Sequence, residues 1–341
     1  MTKINNQNNQ KIVFSGIQPT GDLNIGHYLG AIKSWISLQE QYNCLYCVVD
    51  LHALTIPENI KNKLPYQTYK LIALYLALGL NPDKIHIFLQ SENPNHTYLY
   101  WILECFTPFG QLKRMTQFKE KSAELKNIVS GGLFDYPVLM ASDILLYNTD
   151  LVPVGQDQKQ HVELTRDIAE NFNKFYKTNC FKIPEPLIPH TGAKIKDLQN
   201  PQKKMSKSCN NDKGIIFITD TKTAIEHKIS QAVTDSDGTI IFDTVSKPGI
   251  SNLMQIYSGF SGLSIKHIEQ KYEHTTYDVF KKELALIIWN FLAPIQQKYA
   301  EYNKNTQYIN KILDRGLEYS LSLSNNKITQ IKTIIGLNRL K

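Results

Sequence analysis

The chain has 341 residues, 42% of them hydrophobic, and its 38 basic and 31 acidic side chains leave a net charge of +7. This length suffices for two domains, or for one large α/β domain with an appendage. The positive excess favours polyanionic partners but is too small to establish nucleic-acid binding. No apolar run approaches the length of a membrane span, so we expect a soluble protein without membrane contacts.

The five cysteines are scattered and odd in number, which is typical of reduced thiols. Cys44 and Cys47 have metal-type spacing, but they lie in a strand-like run and no second Cys or His pair follows them. We therefore predict core cysteines and no metal site. Residues 1–10 have the composition of a disordered tail and show no targeting pattern, so a cytoplasmic location is expected.

The first structural unit spans residues 11–35. A β-branched run at 12–14 predicts a buried strand, a glycine- and proline-containing segment predicts a turn, and apolar residues from Ile25 onward recur at helical spacing. Such a unit points the free N–H groups of the first helical turn at whatever lies above the strand, which suits phosphate groups. His27 adds an imidazole donor beside those amides.

Strand-like runs at 44–50 and 85–90 alternate with helical patterns at 25–41 and 66–79. This periodicity predicts a doubly wound parallel sheet that binds ligands at the carboxyl ends of its strands. His52 directly follows the second strand, and two interpretations are equally open for it. It is either a solvated turn residue or a residue of the substrate cleft.

A further helical stretch is predicted at 132–147, with Pro137 in its first turn. Tyr136, Met140 and Asp143 stand at i, i+4 and i+7, so they share one face. A carboxylate on an otherwise apolar face needs a partner, because its unpaired burial is costly. Either an internal Arg or Lys pairs with Asp143, or a ligand donor does.

Residues 150–169 predict a second strand–turn–helix unit, with the strand at 151–154 and the helix opening at 155–158. There Asp157 and Gln158 can meet a ribose or an α-ammonium group, although N-capping alone would also explain Asp157. By strand periodicity, Val152 and Val154 point to the same side and can form a second wall opposite the helix face at Tyr136.

Two short motifs resemble the signature of class I aminoacyl-tRNA synthetases. Residues 204–208 match KMSKS letter for letter, and residues 24–27, about 180 positions earlier, resemble HIGH with Asn24 in place of its first histidine. The segments GIQPTG, RMTQFKEKS and VGQDQKQH resemble the bacterial tryptophanyl branch, where Gln156 replaces a usual glutamate. A solvated basic loop would explain the charge of the KMSKS segment. It would not explain the order of the five residues or the presence of a HIGH-like element earlier in the chain.

The resemblance implies an α/β fold, a Rossmann-like doubly wound parallel sheet with a helical insertion and a C-terminal helical domain. The implied division is a disordered tail (1–10), a catalytic domain (11–216) and a helical domain that recognises the tRNA anticodon (217–341). The insertion would cover about residues 95–150, and the KMSKS loop would cover residues 192–214.

The activity that the resemblance implies is ATP-dependent activation of L-tryptophan and its transfer to tRNA(Trp). The expected partners are L-tryptophan, ATP and tRNA(Trp), with Mg²⁺ held through the phosphates and a homodimer as the assembly. Two alternatives are a tyrosyl-specific synthetase and a non-catalytic tRNA-binding paralogue. The residues of the three branch segments argue against a tyrosyl-specific enzyme. The intact KMSKS lysines argue against a non-catalytic paralogue.

Site residues follow from the resemblance by matching the motifs position by position. The implied catalytic group is His27, Lys204 and Lys207. The implied ATP-binding group is Gln18, Pro19, Thr20, Asn24, Gly26, His27, Lys121, Gly155, Gln156, Asp157, Ile195, Lys204, Met205, Ser206, Lys207 and Ser208. The implied tryptophan-binding group is Phe14, His52, Tyr136, Met140, Asp143, Val152, Val154 and Gln158. For Lys121, a solvated place on a charged helix face is the alternative.

Overall fold

The computed structural model describes residues 10–56, 61–124, 129–155, 158–188, 195–205 and 212–339. Its five parallel strands form one sheet in the order β3-β2-β1-β4-β5. The strands are β1 (Ile12–Ile17), β2 (Asn43–Val48), β3 (Ile85–Leu89), β4 (Leu151–Pro153) and β5 (Glu185–Leu187). The strand order reverses between β1 and β4, which is where such sheets bind ligands. The predicted doubly wound parallel sheet is confirmed.

The helices of the described residues follow in chain order. They are α1 (Ile25–His27), α2 (Lys33–Leu38), α3 (Asp50–Ala53), α4 (Leu64–Leu78), α5 (Asn95–Glu104), α6 (Phe109–Lys113), α7 (Thr116–Glu124), α8 (Gly131–Leu145), α9 (Lys159–Phe175), α10 (Lys222–Ser230), α11 (Pro248–Ser261), α12 (Ile265–Lys271), α13 (Tyr277–Lys304) and α14 (Thr306–Ile335). A π-helical turn, Tyr28–Ile32, joins α1 to α2. Among these helices, none combines the length and apolar character needed to cross a membrane.

Of two helix boundaries, the sequence predicts one correctly and the other incorrectly. α4 ends at Gly79, as the sequence predicts, and this residue has a φ of 113°, which glycine adopts without strain. The prediction that Pro137 lies in a first helical turn is wrong, because α8 begins at Gly131 and contains Pro137 in its interior. Ser130 decides this start, since its side chain accepts the N–H of Leu133 and caps the helix.

The edge strand β5 is not predicted by any pattern in the sequence. It is three residues long, includes Pro186 and pairs with β4 at the edge of the sheet. Three residues are too few to show the alternation by which strands are predicted. A proline is tolerated there because an edge strand need not donate every backbone hydrogen bond.

The side chains of β2 alternate between two hydrophobic cores. Cys44, Tyr46 and Val48 pack into one core, and Leu45 and Cys47 pack into the other. Successive side chains of a strand point to opposite faces of the sheet, so the two cysteines are on opposite faces. Both are free and buried, which confirms the prediction of core cysteines.

The C-terminal helices pack directly on the sheet. α14 crosses β3 so closely that a Cβ on Gly316 would lie 1.8 Å from the carbonyl oxygen of Ile87. Next to this crossing, the ring of His86 stacks on Tyr319 with centroids 3.6 Å apart. α13 packs on α4, so the last two helices cover the edge strand β3 and its neighbouring helix.

Candidate active site

A cavity of about 340 Å³ lies at the carboxyl ends of β1 and β4, where the strand order reverses. Its volume is within the range of small-molecule sites, which begins at about 300 Å³. All eight residues expected to contact tryptophan line it: Phe14, His52, Tyr136, Met140, Asp143, Val152, Val154 and Gln158. A second cavity of about 410 Å³ lies between the amino end of β3 and α14, but no motif residue lines it.

The helix that begins at Ile25 opens with a reciprocal cap. The Asn24 side chain accepts the N–H of His27 at 3.1 Å, and His27 Nδ1 accepts the N–H of Asn24 at 3.2 Å. Because Nδ1 accepts a hydrogen bond, the neutral imidazole carries its proton on Nε2, which is then a donor. The cap thus fixes the tautomer of an imidazole that lines the cavity. It also gives Asn24 a structural reason for replacing the first histidine of the motif.

The described part of the lysine-rich loop folds as a short hairpin. Met205 donates its N–H to the carbonyl of Ile195, and Asp197 donates its own to the carbonyl of Lys203, each at 3.0 Å. Met205 then lies against the helix start, where a Cβ on Gly26 would be 3.6 Å from its Cβ and from its carbonyl oxygen. The two halves of the signature are therefore neighbours in space.

Asp143 is 1% exposed and accepts hydrogen bonds on both carboxylate oxygens. Oδ2 lies 2.8 Å from Nε2 of His52, and Oδ1 lies 2.6 Å from Nδ1 of His96. Nε2 of Gln90 bonds to both oxygens, at 2.8 and 2.9 Å. The sequence left open an internal Arg or Lys as the partner, whereas the partners found are two histidines and a glutamine. His52 also lines the cavity, and its contact with a substrate stays a prediction.

The charge of Asp143 follows from these contacts. Burial raises the pKa of its carboxyl group, and the hydrogen bonds from His52 and His96 outweigh that effect, so the pKa lies below its usual range. The cavity therefore has one buried carboxylate in a wall that is otherwise largely apolar.

Comparison with known proteins identifies the family. The model described as tRNA synthetases class I (W and Y) matches residues 6–293. A tryptophan–tRNA ligase of Clostridium tetani is 47% identical over 336 residues, which cover 98% of each chain. The chain belongs to the tryptophanyl branch of the class I tRNA synthetases. This membership confirms the resemblance seen in the two motifs and in the three branch segments, and it makes the chain a ligase.

Solved structures of the same branch share its fold. The tryptophanyl-tRNA synthetase of Mycoplasma pneumoniae superposes with a TM-score of 0.86 at 34% identity, covering 96% of this chain and 98% of that one. The enzyme of Campylobacter jejuni, solved with ADP and tryptophan, superposes with a TM-score of 0.81 at 34% identity, covering 95% and 99%. The C-terminal helices are thus part of the fold of this branch.

The remaining predicted residues of this synthetase have different positions. Gln18 and Gly155 line the cavity beside His27, and Gln18 donates to the carbonyl of His52 at 3.2 Å. Asn24 and Gly26 form the helix start outside the cavity wall. The other described residues beyond that wall are Pro19, Thr20, Ile195, Lys204 and Met205. Gln156, Asp157, Ser206, Lys207, Ser208 and the side chain of Lys121 lie outside the described residues.

Three buried side chains that hold the cavity wall are not among the residues predicted from the sequence. Gln90 follows β3 and His96 lies in the first turn of α5, so neither belongs to a periodic pattern that would indicate its role. His161 holds Tyr136, whose hydroxyl lies 2.7 Å from His161 Nε2. His161 ends the VGQDQKQH segment, so the branch motif was a signal that could have found it.

Proposed function

We propose that the chain activates L-tryptophan with ATP to tryptophanyl-adenylate and pyrophosphate, and then transfers the acyl group to tRNA(Trp). The contact between Gly26 and Met205 carries this proposal, because it joins the two phosphate-binding motifs beside the cavity. The relative from Campylobacter jejuni was solved with ADP and tryptophan, which supports binding of a nucleotide and of tryptophan by this chain.

Tryptophan would occupy the cavity, with its indole ring between Phe14 and the α8 face that carries Tyr136 and Met140. Asp143 would accept the indole N–H, the one donor of the tryptophan side chain. The contacts of Asp143 support this role. Gln90 donates to both carboxylate oxygens, so it can retain its hydrogen bond to one oxygen while the other accepts the indole N–H. A buried acceptor of this kind rejects side chains that lack a donor.

Activation would begin when a carboxylate oxygen of tryptophan attacks the α-phosphorus of ATP. The bond from that phosphorus to the bridging oxygen breaks, and pyrophosphate leaves with the electron pair. Both reacting groups belong to the substrates, so the protein supplies positioning and charge stabilisation. His27 and the amides around Gly26 would contact the phosphates, while Lys204 and Lys207 would hold the departing pyrophosphate. Transfer follows when a hydroxyl of the terminal ribose attacks the acyl carbon and AMP leaves.

Mg²⁺ would arrive on ATP and neutralise part of the phosphate charge. The donors proposed for the phosphates are amides, an imidazole and lysines, which are poor magnesium ligands, so phosphate oxygens and water would hold the ion. In the part of the chain that the structure describes, no group of three or more His, Cys, Asp or Glu side chains could hold a metal. We therefore assign no residue to the ion.

A homodimer is the assembly that we propose. Trp101 on α5, Phe109 on α6 and Phe175 at the end of α9 expose 67%, 68% and 69% of their surface. Exposed aromatic side chains are typical anchors of protein interfaces. Sedimentation velocity tests this assembly: the wild-type chain should sediment as a dimer, and Trp101→Ser should shift it toward the monomer.

We propose that the chain divides into a catalytic part and a tRNA-recognising part. Residues 11–216 would form the catalytic domain, and residues 217–341 would recognise the tRNA anticodon. The helical character of α10 to α14 supports this division.

Pyrophosphate exchange tests the proposed function. We expect exchange that depends on tryptophan and is absent with tyrosine. Exchange driven by tyrosine would support a tyrosyl-specific enzyme instead. If neither amino acid drives exchange while tRNA still binds, the chain is a non-catalytic paralogue.

A further inference from the structure

We infer that His96 and Tyr147 position the carboxylate of Asp143 for tryptophan recognition. They belong to a buried chain of hydrogen bonds, called the relay below, that comprises Asp143, His96, Tyr147, Asn93, Ser320 and Ser324. The inference deepens the proposed function and rests on it, because it takes Asp143 to be the acceptor of the indole N–H.

The direction of each hydrogen bond in the relay follows from its neighbour. The Asp143 carboxylate can only accept, so His96 donates from Nδ1 at 2.6 Å. His96 Nε2 then accepts from the Tyr147 hydroxyl, which lies 2.7 Å away. The Tyr147 oxygen in turn accepts from Nδ2 of Asn93 at 3.1 Å. The carboxylate selects the tautomer of His96, and Tyr147 stabilises that tautomer by donating to Nε2.

Asn93 connects the relay to the C-terminal helix. Its Oδ1 accepts the backbone N–H of Asn95 at 3.1 Å, which leaves Nδ2 turned toward Tyr147. Nδ2 also lies 3.2 Å from the hydroxyl of Ser320 and 3.1 Å from that of Ser324. Both serines belong to α14 and are fully buried, and Ser320 is 227 residues further along the chain than Asn93. The orientation of Asp143 is thus tied to the seating of α14 on the sheet.

Only some of these buried side chains can contact a ligand in the cavity. Asp143 and His52 line the cavity, whereas His96 is 0% exposed and lies behind the wall. His96 holds Oδ1 of Asp143 from that side, and His52 holds Oδ2. Loss of the bond between Asp143 and His96, or of the bond between His96 and Tyr147, removes a partner from a buried polar group, so these two bonds act together. His96 and Tyr147 therefore act on the ligand through Asp143.

The test uses Tyr147→Phe and a tryptophan analogue in which sulfur replaces the indole N–H, β-(benzothiophen-3-yl)alanine. The variant removes the hydroxyl that donates to Nε2 of His96, so the imidazole loses one of the two hydrogen bonds that hold it against Asp143. We expect kcat/KM for pyrophosphate exchange to fall about tenfold with tryptophan, the size of one lost hydrogen bond. Exchange with the analogue should change by less than about twofold, because the analogue makes no bond to the carboxylate.

Tyr272→Phe is the matched control. Tyr272 is also 1% exposed and its hydroxyl is bonded to Tyr257, but it lies outside the relay. The control should keep the wild-type ratio of kcat/KM for tryptophan to kcat/KM for the analogue. Equal losses for both substrates in Tyr147→Phe would mean a merely structural role and would overturn the inference. A wild-type enzyme that uses both substrates equally well would instead overturn the assignment of Asp143, and with it this part of the proposed function.

A second pair of variants tests the end of the relay that lies in α14. This pair also tests the inference if Tyr147→Phe does not fold. Ser324→Ala removes one buried hydroxyl of α14, while Ser322→Ala removes an exposed one from the same helix. We expect Ser324→Ala to lower the ratio of kcat/KM for tryptophan to kcat/KM for the analogue by about threefold, because it removes one hydrogen bond between neutral groups. Ser322→Ala should leave this ratio unchanged. An unchanged ratio in a folded Ser324→Ala would overturn the coupling to α14.

Discussion

Gly26 and Met205 touch across the two signature motifs, with 3.6 Å between the Cβ of Met205 and a Cβ built on Gly26. The same added atom would lie 3.1 Å from Oδ1 of Asn24, which is closer than a carbon atom approaches without displacing its neighbour. A side chain at position 26 therefore requires Asn24 to shift by a few tenths of an ångström. The helix start, the cap and the lysine-rich hairpin all meet there.

Gly26→Ala is expected to weaken ATP-dependent activation. The new methyl group pushes Asn24 away from the N–H of His27, and loss of such a cap costs about 1 kcal/mol of stability. Pyrophosphate exchange should fall about tenfold, the kinetic equivalent of about 1.4 kcal/mol. Gly30→Ala is the control, because a Cβ at Gly30 meets no heavy atom within 4 Å. Similar exchange rates in the two variants would contradict the prediction.

Lys207→Ala is expected to abolish most adenylate formation with little loss of tryptophan binding. A lysine that meets pyrophosphate as charge develops stabilises the transition state more than the ground state. By analogy with the removal of one oxyanion donor, the loss should raise the activation barrier by about 2.7–4 kcal/mol. Lys203→Ala, at an exposed position of the same loop, serves as the control. Exchange rates measure adenylate formation, and tryptophan titrations measure binding. Near-normal exchange in Lys207→Ala would contradict the proposed role of Lys207 in holding pyrophosphate.

ATP is expected to protect the segment 192–214 from trypsin. Six lysines against two aspartates lie between residues 194 and 213, and they repel one another until a triphosphate neutralises them. Cleavage within the segment should be fast in the free enzyme and slow with ATP, as followed by mass spectrometry of the fragments. Equal rates with and without ATP would argue that the segment does not close over the nucleotide.

Asp143→Asn is expected to reduce both tryptophan use and stability. From the sequence we expect the thermal midpoint to move little, but the structure surrounds Asp143 with donors from His52, His96 and Gln90. An amide nitrogen would face one of these donors, which costs about 1–3 kcal/mol. Calorimetry and exchange kinetics measure the two losses. Asp83→Asn, at an exposed ion pair with Arg315, should change neither, and unchanged tryptophan affinity in Asp143→Asn would exclude the indole contact.

Acidification is expected to loosen the contact between β3 and α14 through His86. Burial, and then the charge of Arg315, lower the pKa of His86 from 6.5 to about 4. Because the pKa of the folded state is below that of the unfolded state, the stability due to neutral His86 is complete above pH 6.5 and is lost as the pH falls toward about 4. His86→Phe can keep the stack on Tyr319 but cannot take up the proton.

The thermal midpoint of His86→Phe should therefore fall less steeply than that of the wild-type chain between pH 6.5 and about 4. His227→Phe replaces an exposed histidine of α10 and should keep the wild-type slope. Parallel slopes for all three proteins would show that His86 does not contribute to acid unfolding.

Much of the fold and of the cavity wall could be predicted because the signals are local. Short apolar and β-branched runs predicted β1, β2 and β3, and a period of 3.6 placed Tyr136, Met140 and Asp143 on one helix face. The end of α4 followed from the backbone freedom of Gly79. The short edge strand β5 and the start of α8 could not be predicted, because three residues show no period and a serine cap competes with the proline signal.

The sequence by itself determined the family, the order of the motifs and the need of Asp143 for a partner, since burying an unpaired carboxylate is costly. The tertiary structure alone decided which partner it has. Its donors come from the ends of β2 and β3 and from the first turn of α5, and the relay behind them reaches α14. Contacts between residues so far apart arise from packing of whole elements, and no local pattern of residue types encodes them.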